Sequence, residues 1–86
     1  MQVHLSSHLR NYTGNRPSVE ASGKTVAEVL ADLDRQYPGL RFRIIDEQDH
    51  IRTHINIYVN TEKVRQIDVP LRASDEIHLL AALSGG

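Results

Sequence analysis

One stretch of this chain repeats apolar residues at helical spacing, and stretches of period two lie on both sides of it. Val26, Val29, Leu30, Leu33 and Tyr37 share one face of a helix. Thr25 stands three residues ahead of Glu28, the spacing at which a hydroxyl and a carboxylate each satisfy an orphan N–H at a helix start. Pro38-Gly39 stops the helix. Before it, Val3, Leu5, Ser7 and Leu9 alternate with Gln2, His4, Ser6 and His8, which predicts a strand over 2–9. After it, Ile51, Thr53, Ile55, Ile57 and Val59 alternate with Arg52, His54, Asn56, Tyr58 and Asn60, which predicts a central strand over 51–60. Ile77, Leu79 and Ala81 predict a last strand. A single amphipathic helix covers only one face of a sheet, so the expected class is α+β: a mixed, four- to five-stranded sheet packed on one main helix, with its other face open.

The intervening segments complete this order. Residues 11–17 gather turn formers, and 18–22 read as the second, edge strand of a hairpin. Residues 40–48 show no clean period, the acidic run 46–49 reads as an exposed loop, and 64–69 read as a short strand. The first and last strands are expected side by side in the middle of the sheet. Val3, Leu5, Ile55, Ile57, Ile77 and Leu79 then meet the helix's Val26, Val29, Leu30 and Leu33. The open face carries His4, His54, Tyr58, His78 and Leu80, an exposed group suited to a partner protein.

Composition removes several classes of function. Ten Lys and Arg against eleven Asp and Glu leave a formal charge of −1, without the electrostatic excess that non-specific nucleic-acid or anionic-membrane binding draws on. No apolar run approaches the roughly 20 residues that span a bilayer. The absence of cysteine excludes disulfides, thiolate metal sites and a thiol nucleophile. The N-terminal residues lack the pattern of a secretory signal, so a cytoplasmic location is expected. With no repeat or linker in 86 residues, a single domain over 1–86 is expected, ending in a flexible tail over about 82–86.

That tail reads Leu83-Ser84-Gly85-Gly86. Two glycines at the end arise by chance in about half a per cent of chains at average Gly usage near 7 %. A frayed end is the plain alternative. Two residues without Cβ make the thinnest and most pliable peptide available, able to enter a narrow cleft and present a bare carboxylate.

Asn56-Ile57-Tyr58-Val59-Asn60, Glu62, Val64-Arg65, Leu71, Asp75-Glu76-Ile77 and the closing Ala82-Leu83-Ser84-Gly85-Gly86, together with Gly23-Lys24-Thr25-Val26, resemble the ubiquitin-like sulfur carriers of the MoaD/ThiS family. The resemblance is nearest to the carrier used in cysteine biosynthesis, and it departs from many members in having Leu80-Ala81-Ala82 where they have a proline. It implies a ubiquitin-like β-grasp fold and a protein co-substrate without catalytic side chains. It implies that the Gly86 carboxylate is adenylated by a ubiquitin-activating-type enzyme using ATP, with no permanently bound cofactor. A persulfide donor or sulfurtransferase then gives a thiocarboxylate, which supplies sulfur to a biosynthetic enzyme making cysteine, molybdopterin or another metabolite. The same terminus would also serve a ubiquitin-like modifier joined to lysines through Gly86.

Other constellations read more plainly. His4 and His8, on one strand, would lie about 13 Å apart at 3.2 to 3.4 Å per residue, too far to share an ion. His4, His54 and His78 could meet across strands, but no carboxylate stands at a recognisable ligand spacing, so they read as a solvated or partner-facing patch and no metal is expected. Adjacent Asp75 and Glu76 point to opposite faces of a strand and read as a turn and strand entry. Ser6, Ser7 and Ser84 have no base placed by spacing. Arg41 and Arg43 beside Phe42 read as a solvated edge.

Overall fold

The computed structural model describes residues 1–81. Its elements are β1 (Gln2–Leu5), a 3₁₀ segment (Ser7–Thr13), β2 (Ser18–Glu20), α1 (Val26–Gln36), α2 (Leu40–Ile44), β3 (Ile55–Val59), β4 (Glu62–Val64) and β5 (Ile77–Ala81). One five-stranded sheet runs in the order β2-β1-β5-β3-β4. β1 and β5 are parallel, with Val3, His4 and Leu5 opposite Ile77, His78 and Leu79. The other three pairings are antiparallel. The first and last strands therefore lie side by side, as expected, and β5 is the central strand.

α1 forms where the pattern placed it. Its start is capped by Thr25, whose Oγ1 accepts from the Glu28 N–H at 3.2 Å. The Glu28 carboxylate reaches back to the Lys24 N–H at 2.9 Å, one residue earlier than the usual reciprocal partner. Val26, Val29, Leu30 and Leu33 are buried against Val3, Leu5, Ile55, Ile57, Ile77 and Leu79 in one core. A sheet grasping one main helix is the arrangement the resemblance implies.

Four expectations need correction. The strand expected over 2–9 stops at Leu5, because the chain turns into the 3₁₀ segment, where Leu9 and Thr13 are both buried. The strand expected over 51–60 begins at Ile55: Ile51 instead bridges to Ile45, and the Arg52 N–H donates to the Ile44 carbonyl at 3.1 Å. The strand expected over 64–69 is only Glu62–Val64. Beyond it the backbone leaves the sheet to satisfy the start of α1, where the Ala27 and Val26 N–H groups donate to the carbonyls of Ile67 and Val69 at 2.7 and 3.1 Å. Finally, α1 is not the only helix. Leu40 and Ile44 are buried on α2, whose first N–H groups are met by Asp34 Oδ1, the acceptor for Gly39 N and Arg41 N. The acidic run 46–49 is the exposed loop expected of it.

Candidate functional site: the open sheet face and the strand that leads to the C-terminus

Side chains alternate along a strand, so each residue between two core positions points to the uncovered face. Register then lines those residues up across the sheet. Ser18 pairs with His4, His4 with His78, His78 with Tyr58 and Tyr58 with Lys63, one row running over all five strands. Leu80, opposite Asn56, begins the next row, and at 37 % exposure it is one of two large apolar side chains that are exposed among the described residues. The other, Phe42, lies on α2 beneath the Arg52 guanidinium, whose carbon is 4.5 Å from the ring centre.

His4, Tyr58, His78 and Leu80 are thus brought together as expected. His54 is not. It precedes β3, and its Nε2 lies 2.7 Å from a guanidinium nitrogen of Arg43 on α2, in a hollow shared with Tyr12 and Phe42. The turn that shortens β3 carries it to the end of the sheet. His8 lies in the 3₁₀ segment and not on a strand.

A carboxylate, and not His54, joins His4 and His78. Glu76 Oε1 lies 2.7 Å from His4 Nε2, and the His4 and His78 rings stack with centroids 4.6 Å apart at an interplanar angle of 13°. The expectation that no carboxylate accompanies the histidines is therefore corrected. The period-two rule points to Glu76, which stands two residues before His78 and so shares its face; its adjacency to Asp75 masks that signal. Asp75 turns the other way, into the loop before β5. There the Arg72 backbone N–H, and after it the Asn60 amide, hold its carboxyl below the usual range.

β5 ends at Ala81, whose N–H donates to Ser6 Oγ at 2.9 Å. Leu83, Ser84, Gly85 and Gly86 lie outside the described residues. The central strand therefore runs from the middle of the open face towards the segment expected to carry the chemistry.

A family model described as ThiS matches residues 3–86. The chain belongs to the ThiS family. Among curated relatives, the sulfur carrier protein CysO of Mycobacterium tuberculosis is 36 % identical over 89 residues, covering 98 % of this chain and 96 % of the relative. The Amycolatopsis orientalis BexX/CysO complex contains a chain that superposes with a TM-score of 0.91 at 34 % identity, covering 99 % of this chain and 98 % of that one. Small archaeal modifier protein 1 of Methanosarcina acetivorans superposes with a TM-score of 0.82 at 33 % identity, covering 99 % of this chain and 94 % of that one. These likenesses make the fold a ubiquitin-like β-grasp. They also agree with the resemblance to the cysteine-biosynthesis carrier. No helix among the described residues is long and apolar enough to cross a membrane.

Proposed function

We propose that this family member is a sulfur carrier, a protein co-substrate whose Gly86 carboxylate is the reactive group. The observation that carries the reading is the family match, which extends through Gly85 and Gly86 to residue 86, supported by full-length likeness to proteins named as sulfur carriers. A carboxylate resists attack by a sulfur nucleophile until it is given a leaving group. Adenylation by a ubiquitin-activating-type enzyme using ATP supplies one; the outer sulfur of a persulfide on a sulfurtransferase partner then displaces AMP to give an acyl disulfide, and a second thiol of the partner cleaves its S–S bond, leaving the thiocarboxylate on this chain and a disulfide on the partner. None of these steps asks this chain for a catalytic side chain, which suits a protein without cysteine. Leu83 and Ser84 serve as the spacer, and Leu80, Tyr58, His78 and His4 as the face that the activating enzyme meets. That a CysO has been solved in complex with BexX supports the general expectation of a partner protein. The acceptor is a cytoplasmic biosynthetic enzyme, with cysteine formation favoured by the likeness to CysO.

The likeness to small archaeal modifier protein 1 favours a second reading, conjugation to lysines through Gly86. Intact-mass measurement of the protein from its native host, with peptide mapping of the same cells, separates the two. The carrier reading expects a terminal thiocarboxylate in which sulfur replaces one oxygen, and loss of adenylation on deletion of Gly86. Abundant lysines bearing a Gly-Gly remnant, with no thiocarboxylate, would establish the modifier instead.

A further inference from the structure

The chemistry at Gly86 asks for no side chain from the group at the centre of the open face, although His4 and His78 also belong to the proposed docking face. His4 and His78 are register partners on adjacent parallel strands, so the ladder fixes their Cα positions side by side. Glu76 enters from the start of β5 and meets His4. One ligand-capable atom from each of the three side chains lies within 4.8 Å of the other two. The His4 and Glu76 side chains are 37 % and 55 % exposed, so an ion can reach them from solvent and water can complete its coordination.

We propose that His4, Glu76 and His78 form a binding site for a divalent transition ion of the zinc class. Two imidazole nitrogens and one carboxylate oxygen suit Zn²⁺ and its neighbours, whereas Mg²⁺ and Ca²⁺ prefer oxygen donors throughout. Zinc bonds of about 2.0–2.2 Å in tetrahedral geometry put neighbouring donors roughly 3.3 Å apart. The three atoms reach that spacing by side-chain rotation on a backbone already in place, with the hydrogen bond between His4 and Glu76 opening to admit the ion. Water takes the fourth position on the solvent side. The site is independent of what happens at Gly86, and it requires only the folded sheet.

The test uses tag-free protein of the whole chain, stripped with a chelator and titrated calorimetrically with zinc chloride at about pH 7.5. One saturable site per chain is expected. Loss of even an outer partner of a metal ligand costs 10- to 100-fold in affinity, so His4→Ala, His78→Ala and Glu76→Gln should each weaken binding by at least about tenfold. Replacing His8, His50 and His54 together with Asn should leave affinity unchanged. In the unmodified protein, which removes any question of whether a variant folds, zinc should shift the imidazole proton resonances of His4 and His78 and spare those of His50 and His54. Absence of saturable binding up to millimolar zinc, binding that survives His4→Ala and His78→Ala, or resonance shifts confined to the other histidines would each overturn the proposal.

Discussion

Asn60 concentrates much of the local logic of the molecule in one side chain. Its φ of 56° lies in the left-handed region, where asparagine is tolerated better than most residues. From there its Nδ2 donates to Asp75 Oδ1 and its Oδ1 accepts from the Glu76 N–H, both at 3.0 Å, while its own N–H donates to the Glu76 carbonyl at 2.7 Å. The turn after β3 is thereby tied to the entry of β5. Asn60→Ala should lower unfolding free energy by about 1–2 kcal/mol in a denaturant titration, since the left-handed backbone alone disfavours alanine by that order. Asn60→Gly should lose less, and equal losses would show that backbone strain is irrelevant here. The aspartates carry a pH dependence of known sign. Asp32 is held low by the Arg35 guanidinium first, Asp46 by the His50 backbone N–H and Asp75 by that of Arg72. Each folded value lies below the ordinary carboxylate value near 3.9, so their stabilisation is complete above about pH 4 and is lost as pH falls through the folded values. Melting temperatures measured across that range should drop on the acid side, and Asp75→Asn should make the drop shallower.

At the scale of elements, the junction between β2 and α1 is closely packed. A Cβ on Gly23 would stand 2.7 Å from Val29 N, 2.8 Å from Glu28 Cβ and 2.9 Å from Glu28 C. Gly23→Ala should therefore push the connection away from the helix start and reduce stability by about 1–3 kcal/mol, read from chemical unfolding. A neutral result would mean that the connection can yield. α1, the sheet and the core partners were legible because burial on one side imposes a period, as in Val3 and Leu5 or Ile77 and Leu79. α2 was not, because five residues make less than two turns and its start is capped by Asp34, a residue of the preceding helix. The path of residues 65–71 was hidden for a different reason. Ile67 and Val69 serve α1 through backbone carbonyls, which leave no mark in side-chain pattern. Glu76 could be assigned to the open face by counting, but its contact with His4 joins positions 72 residues apart and needed the fold. Leu83, Ser84, Gly85 and Gly86 rest on sequence and family likeness alone.

For the whole molecule, the uneven coverage of the sheet separates stability from recognition. Core residues Leu79 and Ile77 are buried, while their neighbour Leu80 is 37 % exposed. On the proposed function, Leu80→Asp should weaken capture by an activating enzyme of the proposed kind in a pull-down or calorimetric assay while changing the melting temperature by no more than about 4–8 °C, the shift that roughly 1 kcal/mol produces in a domain of this size. A larger fall would place Leu80 in the core. The central position of β5 also bears on how the molecule comes into being. Among the described elements β5 is the last to be synthesised, yet it alone joins β1 to β3, and Ala81 bonds to Ser6 from 75 residues away. Until it arrives, two half-sheets carry facing unpaired edges and an unclosed core, and such long-range pairing is slow to form. The row formed by His4, His78 and Tyr58 across β1, β5 and β3 therefore exists as one surface only once that strand is in place, so a partner that reads the row discriminates closed molecules from open ones.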